Sequence, residues 1–154
     1  MSFFIQIICF AGSKKFYNNE VERYKKLIKP FASLSVVPLK STSTGSNKQE
    51  LIKIEEKKML KKWAKNSYSV VLSEEGRMYD SISFSHWISK RVDSEKPLIF
   101  NIGNAYGVSP FLKIQCNEII SLSPMTMPNR MCVLVLVEQI YRAFTILKRH
   151  PYHK

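Results

Sequence analysis

The sequence predicts an α/β fold, a parallel sheet flanked by helices in one domain over residues 1–154, and three observations point there. Short apolar runs and amphipathic helical stretches alternate about five times, the pattern of a sheet covered by helices. Several of the runs are continuously apolar, as in strands buried on both faces. A chain of 154 residues with 45% apolar and 12% aromatic content is the size of one domain built on one core.

The elements follow in order. Residues 3–10 are rich in Ile and Phe and read as a buried strand; no positive charge precedes them, so they do not read as a secretion leader. Gly12 turns the chain. From Asn18 or Asn19, Val21, Tyr24, Leu27 and Ile28 recur at helical spacing until Pro30. Residues 34–39 form a second strand and 40–48 a polar Ser/Thr loop without an apolar anchor. Over 49–65, Leu51, Ile52, Met59, Leu60 and Trp63 share one side of a second helix, opposite a solvated, mainly basic face of Lys and Glu. Residues 68–73 are a third strand, after which Gly76 supplies a turn. Phe84, Trp87, Ile88 and Val92 mark a helix starting near Ser81 or Ser83, on which His86 is structural. Residues 97–102 are the most strand-like run and end on Gly103 to Gly107. Ser109 and Pro110 open a short helix as N-cap and first-turn residue. Residues 119–122 are the last strand, 123–128 a loop and 131–147 a long helix.

Lys and Arg outnumber Asp and Glu by 24 to 12, a net charge of +12. Such a field draws polyanions, with nucleic acid the first candidate, although a lysine-rich surface also serves solubility. Cys9, Cys116 and Cys132 are too widely spaced for a metal motif, and they read as reduced thiols of a cytoplasmic protein. No run approaches the roughly eighteen apolar residues of a membrane span, so no membrane partner is expected.

In parallel sheets, ligands sit beyond the carboxyl ends of the strands. Three ends therefore matter: Leu72 with Ser73, Ile102 with Gly103, and Leu122 with Ser123. The Gly103–Gly107 element lets backbone approach a ligand, or serves as a plain turn; it has neither the GxGxxG nor the GK[ST] spacing of the common nucleotide sites. Between Pro124 and Pro128 the backbone is extended and irregular, and it could read an adenine ring flanked by Leu122, Met125 or Met127, or merely connect two elements. His150, Tyr152 and His153 cluster with Arg142, Lys148, Arg149 and Lys154. That is either a solvated basic tail or a surface for stacking a base and gripping phosphate.

Four motifs occur in order: IGxxxGxSP at 102–110, SLSxMTxP at 121–128, EQxYRA at 138–143 and HPYHK at 150–154. Together they resemble the RlmH-type ribosomal RNA large-subunit pseudouridine N3-methyltransferases of the SPOUT superfamily, most clearly from residue 70 onward. The resemblance implies a deep carboxy-terminal trefoil knot, a feature that periodicity cannot suggest. It implies S-adenosyl-L-methionine as methyl donor, held by Leu72, Ser73, Gly103, Asn104, Leu122, Ser123, Pro124, Met125, Thr126, Met127 and Pro128, with no metal. It further implies a homodimer in which the tail of one subunit completes the site of the other, the apolar face of Val135, Val137, Ile140 and Phe144 lying at the interface. The implied substrate is a pseudouridine in a stem-loop of large-subunit ribosomal RNA, methylated in the assembled ribosome. In-line displacement at a sulfonium needs an oriented donor and a deprotonated acceptor nitrogen. On this reading His153 is base or positioning group, Tyr152 stacks or hydrogen-bonds, Arg142 and Lys154 hold phosphate, and His150 joins the RNA contact.

The chain departs from that pattern at four positions. Asn104 stands for a glycine, Asn129 for a histidine, Val133 for an arginine and Lys154 for an arginine. Arg130, about one helical turn from Val133, is the residue expected to compensate for the missing cation. Two other readings of the chain are a non-enzymatic RNA- or ribosome-binding protein that kept the fold, and a small-molecule nucleotide-binding protein suggested only by the glycines.

Overall fold

The computed structural model describes residues 2–11, 19–41, 47–103 and 107–154. Five parallel strands form one sheet in the order β2-β1-β4-β3-β5: β1 (Phe3–Ala11), β2 (Ala32–Lys40), β3 (Tyr68–Met78), β4 (Leu98–Ile102) and β5 (Glu118–Ser121). Among the described residues four helices connect them and a fifth follows β5: α1 (Asn19–Ile28), α2 (Lys48–Leu60), α3 (Ser81–Asp93), α4 (Pro110–Gln115) and α5 (Asn129–Leu147). The expected class is therefore observed. The expected Gly12 turn, the loop centred on 42–46, the alternative cap Asn18 and the site residue Asn104 lie outside the described residues.

Burial on both faces explains the apolar strands. Ile5, Ile7 and Cys9 of β1 join a larger core under α1, α3 and α5, while Ile8 and Phe10 join a smaller one with Met59 of α2 and Leu112 of α4. Every residue of β4 is buried, including Asn101, which donates to the Val70 carbonyl at 3.0 Å and accepts from Trp63 Nε1 at 2.7 Å. Burying each large aliphatic side chain contributes about 1.5–3 kcal/mol, so these two layers supply most of the driving force. Pro38 is tolerated because β2 is an edge strand. Burial pushes the Cys9 thiol up to about 12.

Local chemistry sets the helix starts. Asn47, Asp80 and Ser109 each accept from the backbone N–H three residues on, which satisfies an otherwise orphaned donor. Three expectations need correction. The second helix ends at Leu60 instead of 65, because Trp63 leaves the helical path to bond Asn101. Gly76 is no turn: it lies inside β3, where an added Cβ would sit 2.5 Å from the Ile120 carbonyl carbon. Its missing side chain permits close backbone approach, not a change of direction. His86 is exposed on α3. Among the described residues no helix is long and apolar enough to cross a membrane.

Candidate active site

Of the three strand ends expected from the sequence, β4 ends at Ile102 and β5 at Ser121, whereas Leu72 and Ser73 lie inside β3, which runs on to Met78, at the point where its ladder to β5 breaks. Leu72 registers with Ile102 of β4 and with Ile120 of β5. Beyond Leu72 the ladder jumps, and Arg77 also registers with Ile120, so residues 73–76 leave the pairing at that point. Glu75 in this segment pairs with Lys113 of α4 at 2.5 Å, and that ammonium holds the carboxyl below the usual carboxylate range. Gly76 rests against the β5 backbone, which fixes where the segment passes.

At the end of β4, a Cβ on Gly103 would lie 3.0 Å from Val108 Cγ2 and 3.2 Å from the Gly107 carbonyl oxygen. Gly107 has φ +92°, a left-handed conformation that favours glycine. After β5, Ser121 Oγ donates to the Ser123 carbonyl, and Ser123 Oγ accepts from the Met125 N–H, both at 3.0 Å. Side-chain bonds thus shape the loop, and Pro124, Thr126 and Pro128 stand exposed. Leu122 and Met127 are half-buried, whereas Met125 is 76% exposed, an unusual position for a thioether side chain. The edge thus combines two glycines without side chains after β4 with apolar side chains after β5, groups suited to a flat heterocycle.

Asn129, the first residue of α5, ties this edge together. Its Nδ2 donates to the Phe10 carbonyl at 2.9 Å and to the Gly103 carbonyl at 2.8 Å. One amide therefore joins the ends of β1 and β4 to the helix following the loop. Val133 is fully buried in the larger core, so the position that departs from arginine carries an apolar contact in this chain, and Arg130 is exposed. Among the described residues no group of three His, Cys, Asp or Glu is placed to hold a metal ion.

The tail is folded back by a defined helix stop. The His150 N–H donates to the Thr145 carbonyl and the Arg149 N–H to the Ile146 carbonyl, with Arg149 at φ 54° in the left-handed position usually given to glycine. Tyr152 then returns to α5, its ring edge-on to Tyr141 at 4.8 Å and under the Arg142 guanidinium at 4.8 Å. Its hydroxyl donates to Glu138 Oε1 at 3.0 Å, leaving its oxygen to accept from Tyr24 at 3.2 Å. Burial and these two partners push the Tyr152 phenol well above its ordinary value. Arg142 binds the same Glu138 oxygen at 2.6 Å, and its NH1 lies 3.2 Å from His153 Nδ1. A guanidinium only donates, so Nδ1 accepts and the ring proton sits on Nε2.

Arg142, Tyr152 and His153 are thus brought together, while the side chains of His150 and Lys154 project into solvent beside them. Reading residues singly missed Glu138, Tyr24 and Asn129. Glu138 and Arg142 carry a usable signal, an acid four residues before a base on one helix. The two clusters lie apart along α5: nine helical steps separate Asn129 from Glu138, about 14 Å at 1.5 Å per residue. Val137, Ile140 and Phe144, expected at a subunit interface, are buried in the core of the chain itself.

A family model described as "Predicted SPOUT methyltransferase" matches residues 3–153. A Ribosomal RNA large subunit methyltransferase H of Pseudothermotoga lettingae is 29% identical over 149 residues, 97% of this chain and 98% of that one. The protein of the same name from Streptococcus pneumoniae is 34% identical over 147 residues, covering 92% of each chain. Among solved structures, a probable methylase family protein from Haemophilus influenzae superimposes with a TM-score of 0.53 at 12% identity, over 96% of this chain and 67% of that one. That last likeness concerns the fold alone.

Proposed function

The chain belongs to the SPOUT methyltransferases and, within them, to the ribosomal RNA large subunit methyltransferase H family, and on that premise we propose that it methylates N3 of a pseudouridine in large-subunit (23S) ribosomal RNA. The observation that carries this reading is the convergence of the ends of β4 and β5 with the ladder break after Leu72 of β3, with the Asn129 amide fastening the edge. The reading also places the protein in the cytoplasm, where assembled ribosomes are.

The strand-end edge fits S-adenosylmethionine: Gly103 and Gly107 after β4 carry no side chain, and the apolar side chains of Leu122, Met125 and Met127 follow β5. Leu72, Ser73, Gly103, the Asn104 position and residues 122–128 are the proposed contacts. When bound, the cofactor supplies an electrophilic methyl group on a sulfonium. The chain's own task is to orient that donor and present the acceptor in line with it.

The tail performs the second task. Arg142 occupies His153 Nδ1, so the imidazole presents Nε2–H outward, suited to donating to a carbonyl oxygen of the nucleobase. His153 is then a positioning group, not the base. Tyr152 is committed on both sides of its hydroxyl and anchors the tail on α5, while Arg142, with Lys154 and His150 beyond it, supplies cationic contacts for phosphate. A gap of about 14 Å along α5 keeps one chain's tail from its own cofactor edge, which favours a homodimer whose sites combine the edge of one subunit with the tail of the other. The register jump at Leu72 and Arg77 and the close approach of Gly76 to β5 favour threading of the chain there, as a trefoil knot requires.

Calorimetry with S-adenosylmethionine tests the first half of the proposal and mixed dimers test the second. A dimer pairing a loop-impaired chain with a His153→Ala chain regains turnover that neither variant has alone. Folded, dimeric protein that takes up no cofactor even with ribosomes present would instead support the non-enzymatic RNA-binding alternative.

A further inference from the structure

The outer face of α2 is the most one-sidedly charged helix surface in the described chain. Lys53, Lys57 and Lys61 are exposed at four-residue intervals, about 6 Å apart along the axis, with exposed Lys62 and Lys65 continuing past the helix end. The periodicity of the sequence puts lysines and glutamates together on this face; the structure separates them. Glu55 and Glu56 are turned inward, 3% and 5% exposed, and Glu56 accepts from the Ser109 N–H at 2.8 Å and from the Ser109 hydroxyl. Glu50 is the one acid of α2 left at the surface. None of these five lysines has an ion-pair partner among the described residues.

We infer that this lysine stripe is a second RNA contact, gripping the phosphate backbone of ribosomal RNA apart from the stem that enters the active site. The inference rests on the reading that RNA is the substrate. Three observations select a phosphate backbone as the occupant. Lysine is depleted from protein interfaces, which favour aromatic residues, Met and Arg, and α2 presents none of these outward. Of its apolar residues Met59 is buried in the smaller core and Ile54 is the one exposed, at 39%, too little apolar surface to seat the helix in a lipid layer. A polyanion with a phosphate about every 3.4 Å per strand gives each flexible lysine stem a partner within reach.

Placement supports the same conclusion. The bond between Glu56 and Ser109 fastens α2 to the start of α4, directly after the 103–107 element at the cofactor edge. The tail packs on α1 and α5, across the sheet from α2 and α4. The stripe and the tail thus address RNA from opposite faces of a protomer, so RNA held by the stripe is not the stem held by that protomer's own tail. Its sequence-independent grip lowers the concentration of ribosome needed without altering the methyl-transfer step.

The test compares the parent protein with a K53Q/K57Q/K61Q variant and with a control, K29Q/K90Q/K96Q, that loses equal charge elsewhere. Binding to purified large ribosomal subunits is measured across salt concentrations, together with KM, kcat and the S-adenosylmethionine dissociation constant. Loss of three phosphate contacts flattens the slope of log K against log salt by about 2–3, at roughly 0.7–0.9 per contact. KM for the subunits rises on the order of tenfold for such a loss, while kcat and cofactor affinity stay within about twofold of the parent. An unchanged slope in the stripe variant, or an equal change in the control, overturns the inference. So does stripe-dependent binding to phosphatidylglycerol vesicles with no change on ribosomes, which would assign the face to a membrane. Should the parent transfer no methyl group while the stripe still sets the salt slope, the catalytic proposal fails and the RNA contact stands.

Discussion

Replacing Asn129 by Ala removes the one amide that joins the ends of β1 and β4 to α5. Two bonds of 2.9 and 2.8 Å disappear, and the carbonyls of Phe10 and Gly103 lose a donor in a partly buried setting. At about 1 kcal/mol for each bond, with some recovery by water at this rim, the loss is about 2 kcal/mol. For a chain of 154 residues that lowers Tm by about 4–8 °C. Because Gly103 closes β4 beside the proposed cofactor edge, part of the loss appears there, and the S-adenosylmethionine dissociation constant rises about tenfold, or 1.4 kcal/mol. Asn129→His keeps one ring donor and one bond, and falls between the two. Differential scanning calorimetry and isothermal titration on the three proteins read both effects. A normal cofactor affinity in a destabilised Asn129→Ala protein refutes the assignment of this amide to the site, and unchanged stability refutes the hydrogen bonds themselves.

Gly76→Ala places a methyl group 2.5 Å from the Ile120 backbone, where no flexible side chain can yield; a loss of about 3 kcal/mol or more is expected in denaturant titration, against near-neutral behaviour for a glycine that merely turned the chain. Glu138→Gln keeps the acceptor for Tyr152 but removes the charge opposite Arg142; the tail loosens by about 1–2 kcal/mol, kcat drops about tenfold and cofactor affinity holds, so equal kcat would detach the tail from catalysis. Tyr79 and Tyr68 both donate to Glu118, and burial raises both phenols, Tyr79 to about 12 from 10.0. Their neutral forms are favoured in the folded state, so this contribution is complete below pH 10 and is lost as pH climbs through about 12, which far-ultraviolet dichroism followed at alkaline pH will show. Arg149→Gly relieves a left-handed residue at the stop of α5 and stabilises the chain by about 0.5–1 kcal/mol, readable as a higher denaturant midpoint.

Much of the architecture was legible because it rests on local rules. Continuous apolar runs gave four strands within about two residues at each end, and the Ser109 cap with Pro110 marks the start of α4. The rest depends on partners distant in sequence. Trp63 ends α2 early by reaching Asn101, thirty-eight positions away. Gly76 looks like a turn glycine until β5 is placed beside it, and that is also why β3 runs on to Met78. Helical periodicity cannot assign Glu56 to the interior, since only the α4 cap at Ser109 makes its burial tolerable. The candidate site divides in the same way. The strand-end rule pointed to Leu72, Gly103 and Leu122, of which Leu72 proves to lie inside β3, and the terminal motif pointed to Arg142, Tyr152 and His153. The bonds by which the Asn129 amide and the Glu138 carboxylate hold these groups in place emerge from three-dimensional contacts, although the four-residue spacing of Glu138 and Arg142 hints at one of them.

The central claim is methyl transfer to ribosomal RNA, and one measurement addresses it directly. Ribosomes from cells lacking this protein are incubated with it and isotopically labelled S-adenosylmethionine, and the large-subunit RNA is digested and mapped by mass spectrometry. One labelled methyl group is expected, on N3 of a single pseudouridine in a stem-loop, absent when the His153→Ala protein is used. No label in the RNA from folded protein that binds both cofactor and ribosomes, or label spread over unrelated nucleotides, contradicts it.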